Sequence, residues 1–118
     1  MILIVDSDPE IIERAREILN HDRHVLAVSS VKHALAMVRR LGFSVVLVDL
    51  ELPDDPLTLI QELHATNPDI AIIGITAAVH PEIPAGSKSL GVTEILRKPI
   101  SLAWKPVVER VLASRGCD

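Results

Sequence analysis

The sequence predicts an α/β domain in which parallel strands alternate with helices that cover both faces of the sheet. Short apolar runs are typical of strands buried in a parallel sheet. Between them lie segments whose apolar residues recur at helical spacing. Several of the runs end in polar residues, and ligands of open α/β sheets bind at the carboxyl ends of strands. Five strands and five helices are counted along the 118 residues, which is the length of one domain.

Residues with reactive or metal-binding side chains follow several of the predicted strands. The predicted strands are residues 2–5, 24–28, 43–48, 70–75 and 95–97. Four of them are followed by polar side chains, in chain order Asp6, Asp49, Thr76 and Lys98. Because the carboxyl ends of parallel strands meet at one edge of the sheet, these side chains are expected to converge. Two acids, a hydroxyl and an amine indicate one site for a metal ion and a phosphoryl group.

Capping and breaking residues predict the helix boundaries. Ser30 can cap the second helix, and Gly42 suits its C-terminal end. Asp55, which is followed by proline, opens the third helix, and Ser101 can cap the last. Residues 80–90 form a poor helix, because they contain two prolines and a glycine.

Composition argues against several classes of function. The net charge is −4 and no basic run is present, so direct binding to nucleic acid is not expected. The only cysteine, Cys117, excludes an intramolecular disulfide and favours a cytoplasmic protein. No apolar stretch approaches the roughly 20 residues that span a bilayer, so a membrane association is not expected either.

Four motifs resemble those of response-regulator receiver domains. They are Ile2-Leu3-Ile4-Val5-Asp6, Val46-Leu47-Val48-Asp49-Leu50-Glu51-Leu52-Pro53, Ile75-Thr76-Ala77 and Arg97-Lys98-Pro99. They occur in the family's order and at its intervals, over essentially the whole chain, residues 1–118. The resemblance implies a single receiver domain with a flavodoxin-like, doubly wound sheet. The strand order 2-1-3-4-5 is carried over from the family.

The resemblance also implies a mechanism. Asp49 would accept a phosphoryl group from a histidine kinase or a histidine phosphotransfer protein. Mg²⁺ would be held by Asp6, Asp49 and the backbone carbonyl of Glu51. Lys98 and Thr76 would bind phosphoryl oxygens, and the peptide bond after Lys98 would be cis. Such a domain switches a partner or an output domain, and its only reactions are its own phosphorylation and dephosphorylation.

The sequence departs from the family at Ser7, where receivers usually carry a second metal-binding acid. A hydroxyl is a poorer Mg²⁺ ligand than a carboxylate, so weaker metal binding is expected. A capping role for Ser7 is favoured over a metal-binding one, because Ser7-x-x-Glu10 fits a capping box, although Asp8 is an equally good cap. The Glu51 side chain either supplies the missing charge or is a solvated loop acid, and the sequence favours neither.

Two alternative functions stay open at this point. Ser7 motivates a degenerate receiver that binds partners without phosphorylation. Asp6-Ser7-Asp8 could instead be the nucleophile motif of a haloacid-dehalogenase-type phosphatase, although Pro9 and Glu10 replace the hydroxyl and apolar residue that usually follow.

The family's output face also differs from its usual pattern. Ile95 occupies the position of a switching aromatic residue, and the fourth helix is the poor one at residues 80–90. Trp104 is expected to pack against the sheet rather than to bind a partner. The identity of the output partner cannot be deduced from the sequence.

Overall fold

The computed structural model describes residues 1–19, 24–77, 91–99 and 101–114. These parts contain five strands, β1 Ile2–Val5, β2 Val25–Val28, β3 Val45–Asp49, β4 Ala71–Thr76 and β5 Val92–Arg97. They also contain four helices, α1 Pro9–Leu19, α2 Val31–Arg40, α3 Pro56–Thr66 and α4 Trp104–Ser114. The weak helix predicted at residues 80–90 lies outside the described residues. In the ranges that are described, no helix has the length and apolar character needed to cross a membrane.

The five strands form one parallel sheet in the order β2-β1-β3-β4-β5, as predicted. β5 begins at Val92, three residues earlier than expected. It is an edge strand with Thr93 and Arg97 exposed. A strand with an exposed face does not read as a continuous apolar run, so the pattern revealed only its end.

The sheet is buried on both faces. Successive side chains of a strand point to opposite faces, so Ile2 and Ile4 lie in one core while Leu3 and Val5 lie in the other. The first core includes residues of α1 and α4, and the second includes residues of α2 and α3. Trp104 is 3% exposed and belongs to the first core, which confirms that it packs against the sheet.

Two of the predicted helix caps are confirmed. Ser30 accepts a hydrogen bond from the backbone N–H of His33 at 3.2 Å and caps α2. Asp55 caps α3 by accepting the N–H of Leu57 at 3.1 Å. α2 ends at Arg40 with Leu41 as its extended C-cap, and Gly42, the next residue, does not adopt the positive φ of a glycine that ends a helix. Local side-chain chemistry therefore sets where these two helices begin.

At the two other helix starts, the structure chooses between two predicted caps in one case and corrects the prediction in the other. Of Ser7 and Asp8, which the sequence left as equally good caps of α1, Asp8 makes the capping hydrogen bond, because its Oδ1 accepts the N–H of Glu10 at 3.0 Å. With proline following it, Asp8 is the residue placed to cap the first turn. α4 begins three residues after Ser101, which heads a preceding turn by accepting the N–H of Ala103 at 3.3 Å.

Candidate functional site

Three buried polar side chains lie at the carboxyl-terminal edge of the sheet. They are the only buried polar or charged residues in the described ranges: Asp6 at 0%, Asp49 at 4% and Thr76 at 4% exposure. Asp6 follows β1, while Asp49 and Thr76 end β3 and β4, which pair with one another. Because β1 and β4 both neighbour β3, the topology brings the three predicted residues to one place.

Lys98 is the cation of this site. Its Nζ lies 3.1 Å from Asp6 Oδ2 and 3.4 Å from Asp49 Oδ2. The lysine side chain is only 18% exposed, and its backbone N–H donates to the Thr76 carbonyl at 2.8 Å. One ammonium group therefore stands between two buried carboxylates, and the strand pairing of β5 with β4 holds it there.

The carboxylates are held unequally. Asp49 Oδ1 accepts the N–H of Glu51 at 2.9 Å, and Asp6 Oδ1 accepts the N–H of Asp8 at the same distance. Asp6 Oδ2 has the ammonium of Lys98 as its partner at 3.1 Å, whereas no N–H or O–H group with the angles of an ordinary hydrogen bond donates to it. A fully buried carboxylate oxygen without a charged or hydrogen-bonding partner would be costly, so the ammonium of Lys98 is what stabilises this atom.

Burial and charge shift the pKa values of this cluster. Burial raises the pKa of Asp49 above its ordinary value of 3.8, and the charge of Asp6 raises it further. The N–H of Glu51 and the ammonium of Lys98 oppose the shift without cancelling it. Burial alone would lower the pKa of Lys98, but the contacts with Asp6 and Asp49 outweigh burial and raise it. Lys98 is therefore charged at neutral pH.

The remaining predicted ligands are less buried. Ser7 is exposed. The Glu51 side chain is also exposed, and its Oε1 accepts the N–H of Ala77 at 2.8 Å. Across the described residues, no group of three or more His, Cys, Asp or Glu side chains is arranged to hold a metal ion. The site thus has two buried carboxylates, those of Asp6 and Asp49. The position of the family's further metal-binding acid is taken by Ser7.

Two features of the structure lie next to Lys98 in the chain. The peptide bond between Lys98 and Pro99 is cis, as the resemblance implied. The indole N–H of Trp104 donates to the carbonyl of Arg97 at 3.1 Å. Packing of Trp104 was expected, but this hydrogen bond to the residue before Lys98 was not, because an indole donor has no partner preference that a sequence reveals.

A close contact at Gly74 in β4 was not predicted from the sequence. A Cβ atom there would lie 2.8 Å from Ile95 Cδ1 and 2.9 Å from Leu50 Cδ1. Because Gly74 has no side chain, Leu50 and Ile95 can both pack against its backbone. Leu50 follows Asp49 in the chain, and Ile95 lies three residues before Lys98. A glycine inside an apolar strand is the available signal, since such glycines mark close approach of other groups.

The chain belongs to the response regulator receiver domain family, whose sequence model matches residues 2–104. It is 29% identical over 102 residues to a response regulator receiver protein of Anaeromyxobacter sp., covering 85% of this chain and 43% of that protein. It is 30% identical over 107 residues to the hydrogenase transcriptional regulatory protein HoxA of Cupriavidus necator, covering 89% of this chain and 21% of that protein. The chain thus spans less than half the length of these relatives.

Solved structures show the same fold. The structure of the DrrB receiver domain activated by BeF3 superposes with a TM-score of 0.84, covering 95% of this chain and 96% of that one at 23% identity. At that level of identity the likeness concerns the fold, a five-stranded sheet with the same architecture. Together with the family match, it makes this chain a receiver domain of a two-component system.

Proposed function

We propose that this receiver domain accepts a phosphoryl group on Asp49 from the phosphohistidine of a histidine kinase or a histidine phosphotransfer protein. The observation that carries the proposal is the buried Asp49 carboxylate at the end of β3, with Lys98 Nζ 3.4 Å from it. The phosphorylated form then switches an output domain or a separate partner. The reactions of the domain are this transfer and the later hydrolysis of its own phosphoaspartate.

In the proposed transfer, an oxygen of the Asp49 carboxylate attacks the phosphorus atom. The bond between phosphorus and the donor imidazole nitrogen breaks, and its electron pair returns to the imidazole. The N–H of Glu51 orients the carboxylate by holding Oδ1. Lys98 binds a phosphoryl oxygen, and the hydroxyl of Thr76 binds another, which couples the state of Asp49 to the end of β4.

The residues of this edge fit a magnesium ion. Asp6 and Asp49 are neighbouring buried carboxylates, and Asp6 Oδ2 already takes a cation, the ammonium of Lys98, as its partner. These two side chains and the backbone carbonyl of Glu51 would hold the ion, with water completing a shell of oxygen ligands. When bound, Mg²⁺ neutralises charge on the carboxylates and on the transferring phosphoryl group. The exposed Ser7 is a doubtful further ligand, so affinity is expected to be modest.

Phosphorylation by a small donor tests this proposal. Wild-type protein is incubated with acetyl phosphate and Mg²⁺, and intact mass is measured before and after mild alkaline treatment, which hydrolyses an acyl phosphate. We expect one phosphoryl group that Asp49→Asn abolishes and that Asp54→Asn, a change in the adjacent loop, retains. Absence of a labile phosphoryl group on the wild type, even at high Mg²⁺, would reject the proposal.

One observation favours a second candidate function. Ser7 is exposed and the third carboxylate is missing, so the site could hold Mg²⁺ too weakly for phosphorylation. The domain would then be a degenerate receiver that binds its partner irrespective of Asp49. Equal partner affinity of the wild type and Asp49→Asn, with and without acetyl phosphate, distinguishes this function from the first.

The phosphatase alternative finds less support. It needs Asp6 as an accessible nucleophile and Asp8 as an acid-base group. Asp6 is fully buried beside Lys98, and Asp8 caps α1 through the N–H of Glu10. Both carboxylates thus have structural contacts that compete with such roles.

A further inference from the structure

Glu51 joins the ends of two neighbouring strands. Its backbone N–H donates to Asp49 Oδ1 at 2.9 Å, and its Oε1 accepts the N–H of Ala77 at 2.8 Å. Ala77 directly follows Thr76, the last residue of β4, so this second contact connects residues 26 positions apart. We call the hydrogen bond between the Ala77 N–H and Glu51 Oε1 the Glu51 bridge.

The Glu51 bridge brings a third negative charge to the edge where Asp6 and Asp49 lie. A phosphoryl group carries about −1.5 to −2 charges at neutral pH and disrupts contacts of neighbouring acids through repulsion. A phosphoryl group on Asp49 and the Glu51 carboxylate are therefore mutually unfavourable. The bridge also occupies a backbone N–H, which is the type of donor that binds phosphoryl oxygens strongly.

We propose that the Glu51 bridge stabilises the unphosphorylated site and that a phosphoryl group on Asp49 breaks it by repelling the Glu51 carboxylate, which releases the N–H of Ala77. The inference rests on the proposed phosphorylation of Asp49. Glu51 acts here as a positioning residue, which opposes uptake of the phosphoryl group and makes the end of β4 respond to it. If the Glu51 carboxylate instead supplied the missing charge for Mg²⁺, its removal would have the opposite effect.

The sign of that effect can be measured with beryllofluoride, an analogue of the phosphoryl group, at saturating Mg²⁺. Affinity is determined by ¹⁵N NMR titration of the wild type, Glu51→Ala and Glu51→Gln. In Glu51→Ala the analogue does not have to break a hydrogen bond to a charged group. This variant is therefore expected to bind beryllofluoride roughly three- to tenfold more tightly than the wild type. Glu51→Gln keeps an acceptor without the charge and is expected to lie between the two.

Asp54→Asn is the matched control. It removes one negative charge from the same loop, and its side-chain oxygen can still accept the N–H of Val31, which Asp54 accepts at 2.9 Å. Its affinity for beryllofluoride is expected to equal that of the wild type. In the absence of the analogue, amide hydrogen exchange of Ala77 is expected to be faster in Glu51→Ala than in both the wild type and the control.

The outcomes separate the two proposals. Equal affinity of the wild type and the Glu51 variants for beryllofluoride, or unchanged amide exchange at Ala77, would overturn the proposal about the Glu51 bridge. The proposed phosphorylation of Asp49 would not be affected. Weaker binding of beryllofluoride by both Glu51 variants would also overturn the bridge proposal, and would indicate that the Glu51 carboxylate helps to bind Mg²⁺. If neither the wild type nor any variant takes up beryllofluoride, the proposed function fails and the bridge proposal fails with it.

Discussion

Replacing Lys98 by methionine removes the ammonium group that separates two buried carboxylates. Lys98→Met keeps a long unbranched side chain, so packing changes little. Asp6 and Asp49, at 0% and 4% exposure, would then face one another without a cation in the metal-free protein. The Nζ atom that is lost lies 3.1 and 3.4 Å from their Oδ2 atoms. Lys98→Met is therefore expected to destabilise the metal-free fold.

The expected loss of stability in Lys98→Met follows from the burial of Lys98, Asp6 and Asp49. Removing one partner of a fully buried ion pair costs about 3–5 kcal/mol. Two factors lower this figure: the Lys98 side chain is 18% exposed, and the raised pKa of Asp49 allows that carboxyl group to take up a proton. We expect the free energy of unfolding to fall by about 2–4 kcal/mol. For a domain of this size the melting temperature would fall by roughly 10 °C or more.

Urea unfolding in EDTA and in Mg²⁺ measures this effect. Mg²⁺ is expected to restore part of the stability of Lys98→Met, since the ion would neutralise the same carboxylates. The control is Lys105→Met, which breaks an exposed pair with Glu109 at 3.9 Å and should cost less than about 1 kcal/mol. If Lys98→Met costs no more than Lys105→Met in EDTA, the bridging role of Lys98 is wrong.

Three further outcomes are expected. Asp55→Ala, which removes the cap of α3, should lower the free energy of unfolding by about 1 kcal/mol in urea, whereas Ser7→Ala should leave it almost unchanged. Gly74→Ala should cost about 1–3 kcal/mol through overpacking, and Ile95→Val in the same chain should recover part of that loss in thermal melts. Asp49→Asn should be more stable than the wild type at neutral pH. The pKa of Asp49 is raised in the fold, so this carboxyl group stabilises the folded protein when it is protonated, and that stability is lost as the pH rises through the raised pKa. The difference should shrink as the pH falls through the raised pKa and disappear below 3.8, and stability curves that run parallel at all pH values would contradict it.

Local signals in the chain predicted much of the fold. Buried parallel strands read as apolar runs, so β1, β3 and β4 were located to within two residues. Caps such as Ser30 and Asp55 act on amides two or three residues away, which makes helix starts readable as well. The strand order was not readable from such signals and came only from the family motifs.

The chemical groups at the strand ends are readable from the sequence, because each group directly follows or ends its strand in the chain. How these groups meet depends on the folded chain: Lys98 reaches both Asp6 and Asp49, and Glu51 reaches the N–H of Ala77. These contacts join strands far apart in the chain and depend on side-chain directions, which no local pattern specifies. The same holds for Gly74, whose missing side chain matters only because Leu50 and Ile95 approach it from neighbouring parts of the fold.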